Sequence, residues 1–577
     1  SAKGGSITIT GDRIGLAGAT IDASGPAGGG TIRIGGDLQG GGTLQHARKT
    51  VVDGNTRIIA DATESGNGGT IVLWSDEFTG FGGLIRARGG PQGGDGGFAE
   101  VSSKGVLGYA GQTILTAARG KFGTLLLDPY DIYIESGPTT SGSLTGSPPN
   151  LDFTPSGPNS VISVADLQAA LATANVTIQT GGSSSAGAQA GNITVGAPIS
   201  WAQSSTLTLD ANNNIVIGQA ITAPAGGLVL SAGGTITTPL SYGRSDGTTA
   251  TSATAAGAIN VGTFYLQSGS WQQVSASLPT FAATNFRINS SFLRALGGDG
   301  TAANPYAISD VYGLQGINTI TDLSGGLDLT LNYRLANDID ASGTSQWTNG
   351  SGTVIGFTPI GGNATHGLPY AGTFDGQGHT ISGLFINLPG ASQVGLFGNL
   401  SGTVEKLSLT GVNITGGTTV GSIAGSNSGT INDVRASGSV AGQNYVGGLV
   451  GQNYDSDNPS PTVLPVITRS MANVSVLAGT GAQSVGGLVG NNEGTISLAY
   501  ATGSVTAGGG GTAIGGLIGT NGNGSVSQSY ATGAVDGGTG STAVGGLIGL
   551  NFAPVSASFW DVTSTGQGQG IGSDSTG

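Results

Sequence analysis

The sequence predicts an all-β chain, an elongated parallel β-helix solenoid interrupted by one or two short helices. Three observations predict it. One phrase recurs as VGSIAGSN (Val420–Asn427), VGGLVGQN (Val446–Asn453), VGGLVGNN (Val485–Asn492), IGGLIGTN (Ile514–Asn521) and VGGLIGLN (Val544–Asn551). Its starts lie 26, 39, 29 and 30 residues apart, a period that means stacked units. Between phrases come further short apolar stretches: GTI at Gly429 and Gly494 and GSV at Gly524, then RASGSV, MANVSV, YATGSV and YATGAV at Arg435, Met471, Tyr500 and Tyr530. Three short strands per repeat, broken by glycine, suit one coil of a β-helix, whereas helical repeats need amphipathic runs of 10–15 residues.

Energetics require the repetition. Burying one Val or Ile stabilises by roughly 1.5–3 kcal/mol, and each strand glycine costs roughly 0.5–1 kcal/mol. A single coil is therefore near balance and holds only when stacked. The core ladder is predicted from Val420, Val446, Val450, Val485, Val489, Ile514, Ile518, Val544 and Ile548. Leu449, Leu488, Leu517 and Leu547 have two placements. Strict alternation leaves them as an exposed stripe, an assembly or binding face, and a bend at the glycine pair turns them inward. Asn427, Asn453, Asn492, Asn521 and Asn551 are expected to occupy left-handed turns and to stack as an amide ladder.

In chain order, residues 1–128 repeat a strand–glycine–strand rhythm (GGSITIT, GGTIRIGG, GGTIVLWSD, GTLLLDP) and read as further coils. Residues 129–160 are rich in Ser, Gly and Pro and read as a linker or excursion. Residues 161–295 open with SVADLQAALATAN (Ser163–Asn175). Ser163 is positioned to cap a helix in which Val164, Leu167 and Leu171 recur at helical spacing. That helix is expected to cover a coil edge. Residues 296–577 form the repeat tract, which ISDVYGLQGI opens with a second short helix. At ~4.8 Å per coil, the rod would measure on the order of 100 Å.

The repeat resembles the GLUG motif of bacterial secreted and surface exoproteins. GDGTAANPYAISDVYGLQGI (Gly298–Ile317), GTFDGQGHTISGLFI (Gly372–Ile386) and SFWDVTSTGQGQGIG (Ser558–Gly572) resemble its usual lead-in and end. GGTIRIGGD (Gly29–Asp37), the run Asn55–Asp76 and GKFGTLLLDPYDIYI (Gly120–Ile134) are similar to two-partner-secretion, filamentous-haemagglutinin-like adhesins. The resemblance implies a right-handed coil, a secreted or outer-surface location on a Gram-negative bacterium and adhesion. It also implies export through an outer-membrane transporter that engages an N-terminal region not visible here.

Composition narrows the function classes. A net charge of −14, with no basic runs, argues against nucleic-acid partners. No stretch is long and apolar enough to be a membrane-spanning helix. Glycine numbers 112 of 577 residues, yet regular Val/Ile/Leu spacing and a mean hydropathy of +0.11 argue for order. No cysteine is present, which excludes disulfides and thiolate sites. Ser1 opens on a strand pattern without a signal peptide, and both ends read as cut from a longer polypeptide.

Candidate chemistry is sparse. His46, His366 and His379 lack partners at metal-ligand spacing and read as turn or surface residues. Asp338 with Asp340, Asp375, and Asp455 with Asp457 are the nearest paired carboxylates, and turn roles are preferred for them. Asp455 and Asp457 in DSDN, and GGDGG at Gly93–Gly97, are weak calcium candidates against a reading as solvated loops. No catalytic residue and no cofactor is assigned. The expected function is a non-catalytic shaft acting in adhesion, with a surface glycan, protein or matrix as partner. A self-associating filament or biofilm subunit and a carbohydrate-active β-helix enzyme (lyase or glycosidase) are the alternatives.

Overall fold

A computed structural model of the chain describes residues 2–129, 131–137, 142–145, 152–155, 159–180, 190–251, 257–322, 326–362, 367–454 and 464–575. The fold is a parallel β-helix solenoid, and the chain divides into two compact units. Residues 1–273 with 279–291 form the first, and 274–278 with 292–577 the second.

In the first unit, alternating sequences such as Thr31-Ile32-Arg33-Ile34 place every second side chain in the core. The strands Ser6–Ile9, Thr31–Ile34, Thr70–Leu73, Phe98–Ser102 and Thr124–Asp128 stack in parallel, followed by Asn175–Thr180 and Thr206–Ala211. Their register brings Ile7, Ile32, Ile71, Ala99, Leu125, Val176 and Leu207 into one column. Two narrower sheets complete the early coils. One runs from Arg13–Leu16 to Val106–Tyr109, and the other from Thr20–Asp22 to Gln112–Ile114.

The third sheet ends at Gln112–Ile114, where the helix α1 (Val164–Leu171) packs. The Ser163 side chain accepts a hydrogen bond from Ala165 N, and Leu167, Ala170 and Leu171 are buried. Just past the helix, Thr173 O accepts from Leu115 N at 3.1 Å. The segment thus covers the backbone edge left by the missing strand, as expected of it. The stretch 129–160, expected as a linker or excursion, contributes strands among its described residues. Ile132–Glu135 is a core strand paired with Ser160–Ser163 and Ile193–Val195, and Ile132 and Ile134 are buried. Between them, the backbone strands Gly142–Thr145 and Asp152–Pro155 pair antiparallel.

In the second unit, α2 (Val311–Gly316) begins at Asp310, whose carboxylate accepts from Gly313 N at 2.9 Å and from Arg294 Nε at 2.7 Å. A third helix, α3 (Val562–Thr565), adds to the one or two expected, and Asp561 caps it. Each repeat phrase feeds two parallel sheets. Its first residues join Thr419–Val420, Tyr445–Gly447, Ser484–Gly486, Ile514–Gly515 and Val544–Gly545. Its last residues join Ala424–Asn427, Val450–Asn453, Val489–Asn492, Ile518–Asn521 and Ile548–Asn551.

Candidate functional site

The repeat tract is the candidate functional surface, and its inner columns set its geometry. Val420, Val446, Val485, Ile514 and Val544 are successive register partners. Val450, Val489, Ile518 and Ile548 form a second column. All are buried except Val544, which is half-buried.

The exposed leucine stripe is overturned. Leu449, Leu488, Leu517 and Leu547 are buried, each linked to the next by a backbone hydrogen bond of 2.8–2.9 Å. The glycine pair bends the strand, so alternation does not carry across it. A Cβ on Gly448, Gly487 or Gly516 would collide with the carbonyl of Gly487, Gly516 or Gly546 and crowd Ala472, Ala501 or Ala531. The small residues of the phrase and of YAT are therefore matched across each coil.

The asparagine column is an amide ladder, but it does not occupy left-handed turns. Nδ2 of each residue donates to Oδ1 of the next along Asn427, Asn453, Asn492, Asn521 and Asn551 at 2.7–2.9 Å. The side chains are buried at strand ends, where Oδ1 of Asn427 and Asn492 accepts from the amide two residues on. The left-handed corner falls later in each coil, at Asp433, Arg469, Leu498, Gln528 and Ala557, with φ between 45° and 54°. These side chains share no chemistry, so residue type gave no signal for the corner.

Outside the core, register places Met471, Tyr500, Tyr530 and Phe559 in one column. The Tyr500 and Tyr530 rings stack at 4.8 Å and 3°. Tyr530 is 40% exposed and Phe559 67%. The sequence contained this column as YAT and YAT, but nothing in the phrase fixed which face it took.

A second feature is an open cleft of about 420 Å³ at the lead-in coils, lined by Tyr312, Asp338, Asp340, Ser342 and Trp347. Its carboxylates are engaged locally. Asp338 Oδ1 accepts from Thr380 N at 2.9 Å and lies 3.2 Å from His379 Nδ1. Those two contacts, backbone first, hold its pKa below the usual carboxylate range. Ser342, through its hydroxyl and its amide, lowers the pKa of Asp340 in the same way. Asp375 Oδ1 accepts from Gln377 N at 2.9 Å, and His46 Nδ1 lies 3.2 Å from Asp76. Asp95 of GGDGG accepts from Lys121 N at 2.8 Å. Asp455, Asp457 and His366 lie outside the described residues. Among the described residues, no three His, Cys, Asp or Glu gather as a metal centre. No helix among them is long and apolar enough to cross a membrane.

Residues 510–536 match the family model described as the GLUG motif. Halomucin of Haloquadratum walsbyi is 42% identical over 158 residues, 27% of this chain and 2% of that protein. A candidate Gly-rich membrane protein of Evansella cellulosilytica is 35% identical over 197 residues, 28% of this chain and 21% of its own length. The chain thus spans a small fraction of these relatives. A solved structure, described as a candidate immunoglobulin A1 protease from Bacteroides ovatus, aligns with a TM-score of 0.37 at 20% identity, covering 46% of this chain and 78% of that one.

Proposed function

We propose that this chain is a non-catalytic segment of a secreted or outer-surface exoprotein of the two-partner-secretion type, acting in adhesion to cells or matrix. The observation that carries the proposal is the repetition of one coil interface. Each GLUG coil gives its neighbour the same valine, leucine and asparagine contacts while keeping a constant outward column from Met471 to Phe559. A column of equivalent contacts favours partners that are themselves repetitive, because linked weak contacts multiply. A surface glycan, protein or matrix component is the partner class, and the surface-type names of the relatives are consistent with it. Export would use an outer-membrane transporter of a Gram-negative cell, engaged by a region outside this sequence.

The test is binding of the purified chain to glycan arrays and to immobilised matrix proteins, beside a Tyr530→Ala/Phe559→Ala variant. Both side chains are substantially exposed, so the variant is expected to fold. Specific binding that drops at least about tenfold in the variant is the expected result. Absence of binding, or release of a depolymerised product, would defeat the reading.

A further inference from the structure

The strand alternation that fills the core of the first unit has a consequence on its opposite face. Ala99, Val101, Leu125 and Leu127 are buried inward, which leaves Glu100, Ser102 and Asp128 on the outer side of two adjacent strands. Outer positions of neighbouring coils, such as Thr8 and Thr177, reach solvent. Glu100, Ser102 and Asp128 do not: each is fully buried.

The cover comes from the short 3₁₀ turn Leu38–Gly40. Gln39 adopts a left-handed backbone (φ 54°), and its N–H donates to both carboxylate oxygens of Glu100 at 3.0 and 3.1 Å. Its side-chain Nε2 donates to Gln179 Oε1 at 2.9 Å. The pairing of Leu127 with Ile178 sets Gln179 beside Asp128, so Gln39 bridges across that aspartate. A non-glycine residue held in this conformation is strained and persists only where its surroundings enforce it.

Beneath the turn, both carboxylate oxygens of Asp128 are buried without a hydrogen-bond partner. Among the described residues, neither Asp128 nor Glu100 has an ion pair, and the guanidinium of Arg33 is committed to Asp37 at 2.7 Å. A buried carboxylate without donors is strongly unfavourable unless a cation or a proton compensates it. Burial pushes the pKa of both Glu100 and Asp128 up to about 7, with the nearby Asp128 charge adding to Glu100 and that of Asp210 adding to Asp128.

The geometry points to a binding site for a hard divalent cation of calcium type, formed by Glu100, Asp128 and the Ser102 hydroxyl under Gln39. Ser102 and Asp128 are direct register partners, with Glu100 two residues along the same face. Two carboxylates and a hydroxyl give up to five oxygens with a charge of −2, the donor type such a cation takes. The ion would satisfy the Asp128 oxygens, which no protein group reaches. The site is independent of the adhesive surface proposed above.

The test uses the full chain after EDTA treatment and dialysis. Calcium binding is read by isothermal titration calorimetry, and thermal unfolding is followed at pH 7.5 with calcium, with magnesium and with neither. One calcium per chain and a rise in Tm are expected. Asp128→Asn removes the uncompensated charge, so it is expected to fold and to lose calcium affinity at least about tenfold. Glu100→Gln should behave alike, whereas Asp455→Asn/Asp457→Asn should bind as the parent does. The proposal is overturned if the parent binds no calcium, if Asp128→Asn binds it unchanged, or if binding is lost only in the Asp455/Asp457 variant. It is also overturned if Tm rises on acidification but does not rise when calcium is added at pH 7.5.

Discussion

Asn492 uses the full capacity of its side chain. Nδ2 donates to Asn521 Oδ1 and Gly494 O, while Oδ1 accepts from Asn453 Nδ2 and Gly494 N. Asn492→Ala strands these buried partners and should cost about 1–3 kcal/mol, read from the midpoint of urea unfolding. Asn492→Asp should cost more, because it sets a carboxylate oxygen against Asn521 Oδ1. Leu488→Ala should cost about 2–5 kcal/mol, an outcome incompatible with a solvent-facing leucine. Glu100 and Asp128 give a pH prediction for the metal-free chain. Their pKa values are raised to about 7 from the ordinary 4.5 and 3.8, so between roughly pH 4 and 7 the native state binds more protons than the unfolded state. Stability in EDTA should therefore fall as pH rises through that window and recover on acidification, as urea midpoints at pH 5 and 7.5 would show. These acids were not legible in the sequence. Alternation correctly sends Glu100 outward, where the distant Gln39 turn closes on its carboxylate.

Among the elements, α1 was legible because Ser163 caps it and Leu167 and Leu171 share a helical face. Ser163→Ala should cost about 0.5–2 kcal/mol, measured by thermal unfolding. The four-residue α3 is too short for any periodicity and is announced only by Asp561. The coil corners were misplaced on the asparagines, because Asn is the usual non-glycine left-handed residue. Here the asparagine side chain is drawn inward by its own ladder, and the turn passes to whichever residue follows the next short strand. At Leu498, with φ 52° and half its surface exposed, Leu498→Gly should relieve that conformation and gain up to about 1 kcal/mol.

At the scale of the molecule, the solenoid was legible because one phrase appears five times and each copy meets the next in identical register. Neighbour coupling of this kind makes whole coils exchangeable. Deleting residues 485–513 joins Ser484 to Ile514 and removes one repeat. The shortened chain should retain its β circular dichroism and cooperative unfolding, whereas deleting only 499–513 should lower the β signal and broaden the unfolding transition. Less legible was the change of cross-section in the first unit, since no residue pattern states that a sheet will stop at Ile114.

The amide row has a direction. From Asn427 to Asn551 every Nδ2 points toward the following coil, and the last donates to the Asp574 carboxylate at 3.1 Å. The side-chain dipoles therefore add along the tract, leaving its partial positive pole at the donor end, where an anion sits. The tract thus carries a lengthwise electrical polarity of its own, complemented at that pole as a helix macrodipole is by an acid at its first turn.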